Sequence, residues 1–166
     1  MGRVMALDLA LRSCGYCLLD GDEQVLWRGT TYTAGKAAGL GYLYGDIALR
    51  LEQHEPSAVV VEVPGAWMRA SESTSTATLE ALLMAWGVCQ ASVINHSPAQ
   101  LVRWDPSTAK ELITGSRHAD KRAVQRALEL EGFDLGGYSE HEIDALAIAL
   151  AWQRTEGRVE SIPNGD

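Results

Sequence analysis

Two short runs of this chain, Met5–Leu11 (MALDLAL) and Ala58–Val63 (AVVVEV), are apolar at consecutive positions instead of alternate ones. Successive side chains of an extended backbone point to opposite faces, so a run that is apolar throughout is a strand covered on both sides. That requirement selects a sheet with helices above and below it. Each run nevertheless carries one carboxylate, Asp8 and Glu62. An uncompensated buried carboxylate costs several kcal/mol, of the order of the stability margin of a small domain. Something must neutralise these two acids.

The rest of the chain supplies the layers. Strands are expected over Arg3–Ala10, Cys14–Asp20 and Gln24–Tyr32, with Gly21-Asp22 as a hairpin turn. Leu40, Leu43, Ile47 and Leu51 recur at helical spacing, and that helix stops before Glu55-Pro56. The Ala58–Val63 strand is followed by a Ser- and Thr-rich loop over Pro64–Thr76, an apolar helix over Ala77–Gln90 and a short strand over Ser92–Asn95. Two helices broken at Gly115 fall between Asp105 and Glu131, and a last helix runs from Ser139 to Arg154. The fold class is therefore α/β, a five-stranded mixed sheet with helices on both faces. The helix before Ala58 provides a crossover, so the first and fourth strands can lie parallel as neighbours. Residues 1–154 form one domain, and 155–166 read as a disordered polar tail.

A third acid lies in the last helix, SEHEIDALAIALAW. Ser139 and Glu142 form a capping box that starts it, and His141 and Asp144 then share one face of its first turns. From Ile143 to Trp152 every residue except Asp144 is apolar. Taken singly, each group has an ordinary explanation: a strand end for Asp8, an arginine partner for Glu62, the helix dipole for Asp144, an exposed cap for His141. Taken together, three carboxylates and an imidazole in apolar settings suit Mg²⁺ or Mn²⁺. Two such ions about 4 Å apart clamp the attacking and leaving oxygens of a phosphodiester displacement.

The order of these elements resembles the RuvC family of Holliday junction resolvases, which have a ribonuclease H-like fold. VMALDLALRSCGYCLL is similar to the family's first strand and hairpin, with Arg12, Gly15 and Tyr16 in register. VVVEVPGAWMRA is similar to its second-acid strand and HEIDALAIALAW to its closing helix. The resemblance makes Asp8, Glu62, His141 and Asp144 the metal ligands. TAKELITGSRHADKRAVQ also aligns and places Lys110 and Lys121, two of only three lysines, on family lysines beside the active site. The chain departs from the family in Leu9-Ala10, where Pro-Gly is usual, and in a longer loop after Glu62. The resemblance implies a homodimer that uses two Mg²⁺ ions per site, with Mn²⁺ as substitute. It nicks four-way DNA junctions symmetrically, leaving 5′-phosphates and 3′-hydroxyls, in the cytoplasm of a bacterium or a phage-infected cell.

A net charge of −8 argues against binding nucleic acid through the overall field, which leaves the work to local patches. Lys110, Arg117, Lys121, Arg122 and Arg126 are opposed only by Glu111 and Asp120, and a helix starting near Ala119 puts Lys121 where backbone amides favour phosphate. With Arg12, and with Trp67, Met68 and Arg69 in the loop after Glu62, these residues are the candidate DNA contacts, Trp67 by stacking on unpaired bases. Leu79, Leu82, Leu83, Met84 and Trp86 cover more of their helix than one core face needs, which suits a dimer contact through 77–90. No stretch of about 18 apolar residues and no signal peptide is read. Three cysteines fit no disulfide framework, and Cys14 and Cys17 fall on opposite faces of a strand. His54, His96 and His118 have no partners evident in the sequence.

Three alternatives share parts of this pattern. Actin-like ATPases and sugar kinases have a similar first hairpin but need a second large domain. A ribonuclease H-like enzyme cutting RNA–DNA hybrids or flaps needs the same metal site. A non-catalytic junction-binding protein needs no ligands, and here all four are filled.

Overall fold

Strand β1 (Val4–Leu9) lies at the centre of a five-stranded sheet with the order β3-β2-β1-β4-β5. The computed structural model describes residues 2–10, 12–33, 37–62 and 76–159. Strands β2 (Ser13–Leu19) and β3 (Val25–Tyr32) extend the sheet on one side as an antiparallel meander. On the other side, β4 (Ala58–Glu62) and β5 (Gln100–Trp104) run parallel to β1. Helix α1 (Ala37–His54) makes the crossover into β4, and α2 (Thr76–His96) the one into β5. Helices α3 (Pro106–Thr114), α4 (Lys121–Leu130) and α5 (Glu140–Val159) follow.

The period-two alternation of β1 sorts its side chains into two cores. Met5, Leu7 and Leu9 join Cys14, Tyr16, Val59, Val61 and the inner faces of α1 and α2. Val4 and Ala6 join Cys17, Ala58, Val60 and the alanine-rich face of α5. Cys14 and Cys17 thus lie in different cores, as alternation demands. By the same parity Asp8 and Glu62 belong to the α5 side of the sheet.

Most expected elements recur within a residue or two, but the end of α2 differs. Ser92–Asn95, expected as a strand, is the last turn of that helix. Val93 and Ile94 are β-branched and invite an extended reading. Ala85, Cys89, Ser92 and Val93, all buried, instead follow helical spacing, and Ser92 Oγ donates to the Tyr44 carbonyl across α1, 3.1 Å. The fifth strand is Gln100–Trp104, begun after Ser97-Pro98. The break at Gly115 is a helix stop: its backbone is left-handed, φ 78°, and its N–H donates to the Glu111 carbonyl, 2.8 Å. Helix α5 runs to Val159, five residues past the expected boundary at 154.

Helix α5 is fastened along its length. At its start the capping box forms: Glu142 N–H donates to Ser139 Oγ, 3.2 Å, and Ser139 N–H to Glu142 Oε2, 3.1 Å. Arg28 on β3 reaches the same carboxylate at 2.5 Å and stacks on Tyr138. Near its other end Arg154 holds Glu23 and Glu131, each at 2.7 Å, and Gln153 Nε2 donates to the Asp20 carbonyl, 2.6 Å. Within the first of these ties the helix presses on β2 at Gly15. A Cβ there would fall 2.2 Å from the His141 carbonyl oxygen, a backbone atom with nowhere to move.

Gly15→Ala is expected to destabilise the fold by about 3 kcal/mol, the upper part of the range for overpacking. Urea denaturation followed by circular dichroism measures it. A cost below 0.5 kcal/mol would show that the α5–β2 approach is looser than described.

Candidate functional site

Strands β1 and β4 are parallel neighbours whose last paired residues are Leu7 and Val61. One step further come Asp8 and Glu62, both on the α5 side. The first turns of α5 lie over this edge and add His141 and Asp144, three residues apart on one helix face. Residues from three separate segments are thereby brought to the carboxyl edge of the sheet, where ligand sites of such folds occur.

The contacts are specific. Asp8 Oδ2 lies 2.6 Å from His141 Nδ1, and Ser13 Oγ lies 2.9 Å from His141 Nε2. Lys121, the first residue of α4 after the Asp120 cap, donates to Glu140 Oε2 at 2.8 Å and lies 3.6 Å from Asp144 Oδ2. The Glu140 partnership, then Asp144, raises the Lys121 pKa, so the ammonium stays charged. Lys110 on α3 is close enough to Glu62 to act on its carboxyl, in the direction of ionisation.

Glu62 is the group under most stress. Burial pushes its carboxyl up to about 8, and the Asp8 and Asp144 charges add to the effect. Asp144 is also raised, first by burial and then by Asp8. Among the described residues none donates a hydrogen bond to Glu62. No group of three acidic, histidine or cysteine side chains among them is placed to hold a metal ion; Asp8 meets His141, and Asp144 lies 3.6 Å from Lys121. The donor set still fits a hard divalent cation. It is rich in oxygen, the charge of Asp8 raises the proton affinity of both Glu62 and Asp144, and no described residue donates a hydrogen bond to Glu62.

The other expected residues fall in different places. Arg12 is exposed just before β2, with its carbonyl held by Thr33 N–H, 2.9 Å. Arg122 lines a cleft of about 200 Å³ with Lys121, Gln125, Glu140, Ile143 and Asp144. Arg117 is paired with Glu111 at 2.9 Å and acts on Asp105. Trp67, Met68 and Arg69 lie outside the described residues. Two histidines without evident partners in the sequence have them in the fold. His96 sits between Tyr44 and Glu52, and His54 stacks on Trp27 with 4.8 Å between ring centres. Sequence reasoning missed Ser13, Glu140 and Asp105. Asp105 ends β5, caps α3 through Ser107 N–H at 2.7 Å, and adds to the negative field on Glu62. The i, i+4 spacing of Glu140 and Asp144 was the available signal for the Lys121 contact.

No sequence-family model matches the chain. It is 30% identical over 156 residues to the crossover junction endodeoxyribonuclease RuvC of Gloeobacter violaceus, covering 89% of this chain and 86% of that one. Its fold matches Thermus thermophilus RuvC in complex with a Holliday junction substrate, with a TM-score of 0.81 at 20% identity over 97% of this chain and 98% of that one. A second Thermus thermophilus RuvC structure gives 0.75 at 19% identity over 96% and 97%. The yeast mitochondrial Holliday junction resolvase gives 0.67 at 14% identity over 97% and 81%. At these identities the structural matches establish the ribonuclease H-like fold.

Glu62 binds its proton more tightly in the folded chain than in the unfolded one, 8 against 4.5. Its charge therefore costs stability progressively as pH rises from about 5 to 8. In EDTA, Glu62→Gln should melt at the same temperature as the wild type near pH 4.5 and above it at pH 8, with a gain of a few kcal/mol. A gap that closes with rising pH would contradict the assignment.

Proposed function

The chain belongs to the RuvC family of crossover junction endodeoxyribonucleases, and on that premise we propose that it resolves four-way DNA junctions by paired, metal-dependent nicks. The observation that carries the reading is the convergence of Asp8, Glu62 and Asp144 at one sheet edge, where burial first, and then the charges of Asp8 and Asp144, push the Glu62 carboxyl up to about 8. Members of this family are metal-dependent nucleases. Two Mg²⁺ ions, or Mn²⁺ in their place, bound by these acids and His141 would stabilise the charge that develops at the scissile phosphate. Water supplies the oxygen of the new bond to phosphorus, the 3′-oxygen leaves, and the products carry a 5′-phosphate and a 3′-hydroxyl.

The chain's own cations surround that edge. Lys121 opens α4 and carries its ammonium to Glu140 and Asp144 at that edge. Lys110 approaches Glu62 from α3. Arg12, Arg117 and Arg122 supply further backbone contacts, and Trp67, Met68 and Arg69 follow Glu62 closely enough in the chain to reach a crossover. Binding by these local cations falls steeply with salt, because each phosphate contact releases condensed counterions, and the net charge of −8 adds no attraction at long range. Residues 1–154 are the nuclease domain.

Symmetric nicking needs two sites, and α2 supports a dimer. Leu83 and Met84 stand exposed on it, 46% and 48%, and Ile94 three turns further on, 74%, large apolar side chains of the kind that a partner surface covers. No described helix is long and apolar enough to cross a membrane. A second copy of the chain, docked through α2, covers these side chains.

Asp8→Asn should lower junction cleavage at least about a thousandfold, as expected when a charge-stabilising centre is lost, and leave junction binding within a few-fold in a gel-shift assay. Wild type given labelled junction, duplex, flap and RNA–DNA hybrid with Mg²⁺ should cut the junction at two related positions. Preferential cutting of the hybrid favours the ribonuclease reading, and binding without cutting favours a non-catalytic role. Met84→Glu should convert the dimer to a monomer by light scattering and uncouple the paired nicks, since a buried unpaired charge costs several kcal/mol. A Met84→Glu dimer of wild-type affinity excludes this helix as the contact.

A further inference from the structure

Ser13 has no part in the reading above, yet it is 8% exposed and faces α5 beside Gly15. Its backbone is fixed on both sides: its carbonyl accepts from Ala10 N–H at 2.9 Å, and it is paired with Tyr32 of β3. Its Oγ meets His141 Nε2 at 2.9 Å while Asp8 Oδ2 meets His141 Nδ1 at 2.6 Å. The imidazole is thus held at both nitrogens, in one ring orientation.

We propose that Ser13 is a positioning residue for the metal centre: its hydroxyl holds His141 by Nε2 so that Nδ1 is the nitrogen offered to a divalent cation beside Asp8. This rests on the proposed assignment of Asp8 and His141 as ligands. A neutral imidazole carries one ring proton. Without a cation, Nδ1–H donates to the Asp8 carboxylate, which can only accept, and Nε2 accepts from the Ser13 hydroxyl. When Nδ1 ligates, its proton goes to solvent and one is taken up at Nε2, so the ring stays neutral. That proton then needs an acceptor, and Ser13 Oγ is in place. A hydroxyl serves both arrangements by rotating its hydrogen. A carboxylate at this point would serve only the second arrangement and an ammonium only the first. Ligating histidines are commonly oriented in this way by a partner on the far nitrogen.

Ser13→Thr and Ser13→Val have the same shape and differ only in the hydroxyl. Free Mn²⁺ can be titrated into DNA-free protein and followed by electron paramagnetic resonance. Wild type and Ser13→Thr should bind within about threefold of each other and Ser13→Val roughly 10–100-fold more weakly, at equal melting temperatures for the two variants. In the Mg²⁺-saturated wild type, two-bond ¹⁵N–¹H spectra should place the His141 proton on Nε2. If the branched variants do not fold, Ser13→Ala against wild type makes the same comparison, and wild-type Mn²⁺ affinity in Ser13→Ala overturns the inference. Equal affinities for Ser13→Thr and Ser13→Val, or a proton on Nδ1 with Mg²⁺ bound, overturn the role of Ser13 and leave the nuclease reading standing. Absence of Mn²⁺ binding by the wild type overturns both.

Discussion

The approach of α5 to strand β2 at Gly15 governs the molecule. There the His141 backbone fills the volume in which any other residue would keep its Cβ. Asp8 is the β1 partner of Gly15 across the sheet, so the same contact that seats the helix brings the imidazole to the carboxylate. Ser13, two positions from Gly15, touches the ring from the other side. A larger residue at 15 would lift the helix from the sheet and separate His141 and Asp144 from the two acids of the strands. The site is therefore a consequence of backbone proximity before it is one of side-chain chemistry.

The second governing term is electrostatic. Three carboxylates share one edge, where burial and then the charges of their neighbours make Glu62 and Asp144 harder to ionise. The chain answers with Lys110 near Glu62 and Lys121 near Asp144, which soften the field without cancelling it. A site balanced at zero would have little affinity for a divalent ion, whereas a surplus of negative charge ringed by cations attracts both the metal and the phosphate it must meet. This separation of signs over a short distance lets an acidic protein address a polyanion.

Much of this was legible in the chain because it depends on local pattern. Consecutive apolar residues marked β1 and β4 as central. The helix before Ala58 allowed β1 and β4 to be placed parallel as neighbours, as they are. The capping box located the start of α5, and with it the one-face placement of His141 and Asp144. What was not legible depends on contacts between distant segments. The turn Ser92–Asn95 reads as a strand by composition, and only its packing against Tyr44 makes it helical. Ser13 and Glu140 look like ordinary polar residues until the helix is laid on the sheet. Glu142, recognised as a cap, also holds Arg28 from β3, a pairing for which sequence spacing offers no cue.

The ties at the two ends of α5 make it behave as a lever whose fulcrum lies at one end. The fulcrum is the Gly15 contact, and His141 and Asp144 sit within one turn of it. The Arg154 anchorage to Glu23 and Glu131 lies roughly 20 Å away along the axis, at about 1.5 Å per residue. Any tilt admitted at that distant arm sweeps a long arc there and a short one beside the acids. The Gln153 and Arg154 ties limit that tilt at the point where it would be largest, so what remains of it hardly moves the short arm.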